Sequence, residues 1–133
     1  MHGREKPMTC SPRTLAKIDR ALASGNERER WQAAIALGAF AQSSPELIWP
    51  LILKHGSRRH TDARTAIATC VLEHLLEYNF AEFFPQVAEA ARSNRWFRET
   101  FRGCWRFGQS KLPNNFRQWK RLERELDKLD RTA

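Results

Sequence analysis

Asp62-Ala63-Arg64-Thr65-Ala66-Ile67-Ala68 decides the fold, because a similar run, Arg30-Trp31-Gln32-Ala33-Ala34-Ile35-Ala36, stands some thirty residues earlier. Ala34-Ile35-Ala36 matches Ala66-Ile67-Ala68 at an offset of 32, and Pro50 matches Pro85 at an offset of 35. The three-residue slip falls between the two helices of the unit, where a loop absorbs it. Self-similarity at this period marks a helical solenoid, in which one hairpin cannot bury its apolar face alone and stacks on the next. The expected fold class is all-α: a short right-handed α-solenoid of about three hairpins with an N-terminal capping helix.

Working outward, Ser11-Pro12 reads as an N-cap followed by proline at the first helical position, with Leu15, Ile18, Ala21 and Leu22 on one stripe and Gly25 as the stop. This capping helix covers 12–24. The first repeat, 27–57, holds a helix from about Glu27 to Gln42 with Trp31, Ala34, Ile35, Leu37, Gly38 and Phe40 apolar. Its second helix starts at Ser44-Pro45-Glu46 and ends before Gly56. The second repeat, 61–92, opens at Asp62, or at Thr61 as cap, with Ala66, Ile67, Cys70, Val71, Leu75 and Leu76 inward, and continues in a helix from Phe80 to Arg92. Pro50 and Pro85 lie inside helices and are expected to kink them. A degenerate repeat, 95–130, pairs a helix from about Arg95 to Gly108 with one from about Asn115, where Phe116, Trp119, Leu122, Leu126 and Leu129 recur at three-and-four spacing. Residues 1–10 lack periodicity and read as a loose tail.

The 133 residues suffice for one domain with a core of its own. No apolar run reaches the roughly 18 residues a membrane span needs, and the first residues lead into no secretory signal. Cys10, Cys70 and Cys104, odd in number and far apart, argue against a disulfide framework and for a reducing cytoplasm. The net charge of +8 is unevenly spread. Residues 1–60 hold ten Lys/Arg against five Asp/Glu, residues 61–91 one against five, and residues 92–133 twelve against five. A basic excess favours nucleic acid, an anionic surface or an acidic protein as partner. Arginine outnumbers lysine 17 to 6, which suits bidentate phosphate contacts or reflects a GC-rich genome.

Arg30-Trp31-Gln32-Ala33-Ala34-Ile35-Ala36-Leu37-Gly38 resembles the core of a HEAT repeat, whose pattern runs Arg, two residues, Ala-Ala, two residues, Leu-Gly. Asp62 to Ala68 resembles the same motif, but Thr69-Cys70 stands where Leu-Gly would sit, so the close-packing site of that unit is altered. The resemblance covers about two-thirds of the chain and implies a scaffold that binds protein or, in some members, nucleic acid.

The most informative functional feature is Arg92, Arg95, Arg98, Arg102 and Arg106, which at about 100° per residue fall on one arc of the expected sixth helix. Trp96, Phe97, Thr100, Phe101, Cys104 and Phe107 fill the complementary arc. Five arginines on one face repel one another and need a counter-charge. That charge is phosphate, an acidic protein partner, or Glu73, Glu77, Glu82 and Glu89 of the acidic middle unit. Trp105 stands at the edge of the row, where it stacks on a base or packs in an interface. Arg58 and Arg59, beside His60, lie between the two clear repeats and either extend a phosphate track or form a solvated loop. The histidines and cysteines never come at metal-ligand spacing, and no cofactor is expected. Glu73, His74 and Glu77 form the one tight acid–base cluster; they read as a solvated or capping interaction on a helix exterior, since no nucleophile accompanies them. The expected function is a non-enzymatic module contacting DNA or RNA backbone through the arginine row; the alternative is an adaptor, a subunit of a larger assembly, that buries an acidic or helical partner segment. Lying on a membrane is ranked behind both, because the apolar face is needed as core.

Overall fold

Ser11 opens the first helix, α1 (Pro12–Leu22), by accepting a hydrogen bond from the Thr14 amide at 3.1 Å, with Pro12 at the first position. The computed structural model describes residues 9–59 and 61–132, so most of the expected tail and His60 of the basic loop lie outside the described residues. Asn26 caps α2 (Glu27–Gly38) through its Oδ1 on the Glu29 amide, and Glu27 and Glu29 complement the helix dipole. α2 ends at Gly38 rather than Gln42, and turns carry the chain to α3 (Pro45–Gly56). Ser44 makes no side-chain cap, and α3 runs through Pro50 without a break.

α4 (Thr61–Ile67) passes into a π-helical turn, Ala68–Leu72, and then into α5 (Glu73–Ser93). The turn falls on Thr69-Cys70, where the repeat pattern departs from Leu-Gly. α5 breaks at Asn79 (φ −139°, ψ 42°), between the two helices the sequence suggests, and not at Pro85. The break is stitched by polar side chains: Asn79 Nδ2 donates to the Ala41 carbonyl at 2.8 Å, and Gln109 accepts from the Phe80 amide while donating to the Tyr78 carbonyl. The backbone groups released by the kink are thereby satisfied. Gln109 belongs to a 3-10 turn, Gly108–Lys111, between α6 (Arg95–Arg102) and α7 (Pro113–Thr132). The architecture is all-helical, with no strand among the described residues.

Among the described residues several contacts join positions 32 to 36 apart. Arg30 is ion-paired with Asp62, and Gly38 abuts the Cys70 carbonyl, both 32 residues apart. Arg64 lies over the Trp96 ring and the Trp105 amide donates to Glu73, again at 32. Phe84 meets Trp119 at 35, and Asp19 meets His55 at 36. One continuous core runs from Ile18 and Leu22 through Leu37, Ile52, Ile67 and Leu76 to Phe101, Trp119 and Leu126. Ile35, expected inward, is instead exposed. No helix among the described residues is long and apolar enough to cross a membrane.

His55 joins α3 to α1 inside this core. Arg58 Nη1 points at His55 Nδ1 (3.3 Å), and since a guanidinium only donates, the imidazole proton is on Nε2, donating to Asp19 Oδ1 at 2.7 Å. Burial lowers the His55 pKa, more than the hydrogen bond to Asp19 raises it. Burial would raise Asp19, but the hydrogen bonds from His55 and Lys54 outweigh it and hold the carboxyl below its usual range. A histidine depressed below its unfolded value of about 6.5 binds fewer protons folded than unfolded, so its contribution is present above that pH and is lost on acidification. Melting temperature is therefore expected to fall between pH 7 and 5.5, with a shallower slope in His55→Gln. Parallel slopes for the two proteins would contradict this account.

Candidate nucleic-acid interface

The arginine row does not form as a free track. α6 stops at Arg102, because Gly103 takes the C-cap and residues 104–107 leave the helix, so Arg106 falls off the arc. Arg92, at the end of α5, is paired with Glu125. Arg98 donates to Asp130 (2.6 Å) and turns Nε and Nη2 onto the Ala91 and Arg92 carbonyls, satisfying the C-terminal end of α5. Arg102 bridges Glu99 (2.8 Å), Asp127 (3.2 Å) and Asp130 (2.5 Å). Hydrogen bonding from Arg92 lowers the Glu125 pKa, and that from Arg102 lowers Asp130. Of the three counter-charges the sequence leaves open, an intramolecular one is present, but its ion pairs are with Glu99 and the acids of α7; of the acidic middle unit only Glu89 acts on the row, as a secondary charge near Arg92. Arg95 stays exposed, its guanidinium 4.6 Å from the Trp96 ring centroid.

What α6 releases, the following segment gathers. Trp105 is 72% exposed, the most open large apolar side chain among the described residues. With Arg106, Lys111 and Phe116 it lines a cleft of about 450 Å³ between the 103–112 segment and the start of α7. The Arg106 guanidinium lies 5.0 Å from the Phe116 ring and 5.8 Å from Trp119, and Lys120 lies 5.6 Å from Phe116. Neither Arg106 nor Lys111 has a carboxylate partner among the described residues. Two unpaired cations, an open indole and a second ring share one wall-to-wall surface.

The segment that carries Trp105 is held from beneath. Glu73 is 5% exposed, and its Oε2 accepts the Trp105 amide at 2.7 Å. Burial raises the Glu73 pKa, against the hydrogen bond from Trp105. His74 Nδ1 meets Glu77 Oε1 at 2.9 Å, and the Phe107 ring stacks on His74 at 5.9 Å between centroids. Gly108 turns the chain with φ +49°, and a Cβ there would meet Glu77 Cγ at 2.8 Å and its carbonyl oxygen at 2.9 Å, so both conformation and space call for glycine. Glu73, His74 and Glu77 are therefore not a solvated exterior group: they anchor the loop that presents Trp105.

The model of one family, described as a family of unknown function (DUF6869), matches residues 20–128. The chain belongs to that family. No curated protein and no solved structure matches it. The family's span takes in the whole cleft and its supports.

Of the expected site residues, the structure brings Trp105 and Arg106 together on one cleft, whereas Arg92, Arg98 and Arg102 are ion-paired with acids and Arg95 is exposed. Arg58 donates to the Leu22 carbonyl at 3.0 Å, bracing α1, while Arg59 is exposed. Sequence reasoning missed Lys111 and Phe116 as site residues. Gly103 was the available signal: a glycine in the expected helix interior costs about 1 kcal/mol against alanine and so argues for an early stop. An early stop moves Trp105 and Arg106 onto a loop next to Lys111.

Proposed function

We propose that this chain is a non-enzymatic binding module, a short solenoid of HEAT-like hairpins, that holds single-stranded nucleic acid on the Trp105–Arg106–Lys111–Phe116 cleft without base-specific readout. The single observation that carries the reading is the open Trp105 indole beside two cations with no carboxylate partner. Stacking on an aromatic ring is tolerant of base identity, and cations alongside meet the phosphates. The solenoid reading is supported by the contacts recurring every 32 to 36 residues, among them Arg30 with Asp62 and Phe84 with Trp119. The three unpaired cysteine thiols suit a reducing, cytoplasmic setting. The adaptor alternative draws on the same free cations, with an acidic segment in place of phosphate.

The test is polarisation binding of a labelled 20-residue oligouridine and of a matched duplex at two salt concentrations. With Arg106 and Lys111 each meeting one phosphate, affinity for the single strand is expected to drop roughly sevenfold for a fourfold rise in salt. Trp105→Ala is expected to weaken binding by about 1–3 kcal/mol, some 5- to 150-fold. Arg106→Glu/Lys111→Glu should abolish binding, whereas Arg102→Glu should change stability more than affinity. No binding of either nucleic acid at low salt by folded protein would sink the reading, and retained binding of an oligoglutamate peptide would favour the adaptor.

A further inference from the structure

A second surface, sharing no residue with the cleft, has the opposite character. α3 and the second half of α5 enclose an open groove of about 700 Å³ lined by Trp49, Leu53, Pro85, Gln86, Glu89 and Ala90, with Ser57, Ser93 and Asn94 at its polar margin. Trp49 lines it, its ring 6.0 Å from those of both Phe83 and Phe97. Leu53 and, on the adjoining turn, Leu47 are exposed.

The rim charge is what identifies an occupant. Along α3, Glu46 lies one turn before Trp49, and along α5, Glu82 lies one turn before Gln86 and two before Glu89, so all three acids fall on the stripes that border the groove. All three are exposed, and among the described residues none makes an ion pair; Glu89 accepts only from Ser93. Arg92, one turn beyond Glu89, is ion-paired with Glu125, and the Glu89 charge acts on it without a direct pair. No lysine or arginine is among the described lining residues. In a chain of net charge +8, an apolar trough bordered by three unpaired carboxylates is not what nucleic acid, an acidic segment or an anionic membrane selects.

We propose that this groove docks a cationic amphipathic helix of a partner protein, apolar side chains on Trp49, Leu53 and Pro85, lysines or arginines towards Glu46, Glu82 and Glu89. α3 is 12 residues long, about 18 Å, so the groove takes roughly three turns of helix. Apolar contacts supply the affinity, and the rim acids set the sign of charge the segment must carry.

The probe is a labelled 14-residue helical peptide with leucines on one face and flanking lysines, beside a twin carrying glutamates in place of the lysines. The lysine peptide is expected to bind saturably and the glutamate twin at least tenfold more weakly. Glu82→Lys/Glu89→Lys, at exposed positions and so with unchanged melting temperature, is expected to reverse that order. Leu53→Asp is expected to weaken both peptides. Absence of saturable binding, equal affinity for the two peptides, or an order left unchanged by the double reversal would overturn the proposal. So would loss of binding in Trp105→Ala with Leu53→Asp unaffected, or self-association of the free protein that Leu53→Asp abolishes, which would give the groove to a second copy.

Discussion

Trp119→Ala is expected to destabilise the protein by about 3–5 kcal/mol, a large share of the roughly 5–15 kcal/mol a domain ordinarily has. Trp119 is fully buried, 4.8 Å from Phe101 and 6.1 Å from Phe84 between ring centroids, and the Arg106 guanidinium lies over its ring. α7 is twenty residues long but buries only Trp119, Leu122 and Leu126. Removing the largest of three anchors leaves a cavity beside Phe84 and Phe101 and loosens the helix that carries Glu125, Asp127 and Asp130. Urea denaturation reads the loss, and Trp119→Phe should recover more than half of it. A loss under about 1 kcal/mol would mean that α7 is held by something other than this aromatic stack.

Gly38→Ala is expected to cost about 2–3 kcal/mol although alanine is the better helix former. A Cβ at Gly38 would stand 1.9 Å from the Cys70 carbonyl oxygen and 3.0 Å from its carbon, both backbone atoms of the π-helical turn. No side-chain rotation relieves that overlap: α2 and the turn must part, and the Arg30–Asp62 pair at the other end of α2 is strained with them. The gain from propensity, at most about 1 kcal/mol and less at the last residue of a helix, does not offset it. Gly25→Ala is the matched control, with nothing within 4 Å of its Cβ, and should be neutral. Equal stability of the two variants would contradict the close approach of α2 to the turn.

The helical class and the order of the helices were legible in the sequence because apolar periodicity and caps at Ser11-Pro12 are local signals. The matched runs at Arg30 and Asp62 carried more, since the two residues that open them are in contact. Helix ends were harder to read. The pattern after Gly38 continues apolar through Phe40 and Ala41, both buried, so periodicity alone extends α2 past its end. Pro50 and Pro85 look like kinks, yet the non-helical residue is Asn79, at the boundary expected before Phe80; what the sequence does not show is that Gln109 and Ala41, some thirty or more residues away, supply the partners there. The site suffered most from the same blindness. Spacing placed five arginines on one arc, but which of them are free depends on the acids of α7 docking across α6, and on a helix that stops at Arg102. Glu73 looked like surface from its neighbours His74 and Glu77; it is buried because the Trp105 segment folds over it.

The most direct test of the central assignment is photocrosslinking of the full chain to oligouridine, with the adducts located by mass spectrometry of the peptides. The account predicts adducts concentrated on the stretch from Trp105 to Phe116 and lost at high salt. Adducts confined to residues 92–102 would return the function to the arginine row, and adducts confined elsewhere, or none from protein that remains folded, would contradict the cleft as a nucleic-acid surface.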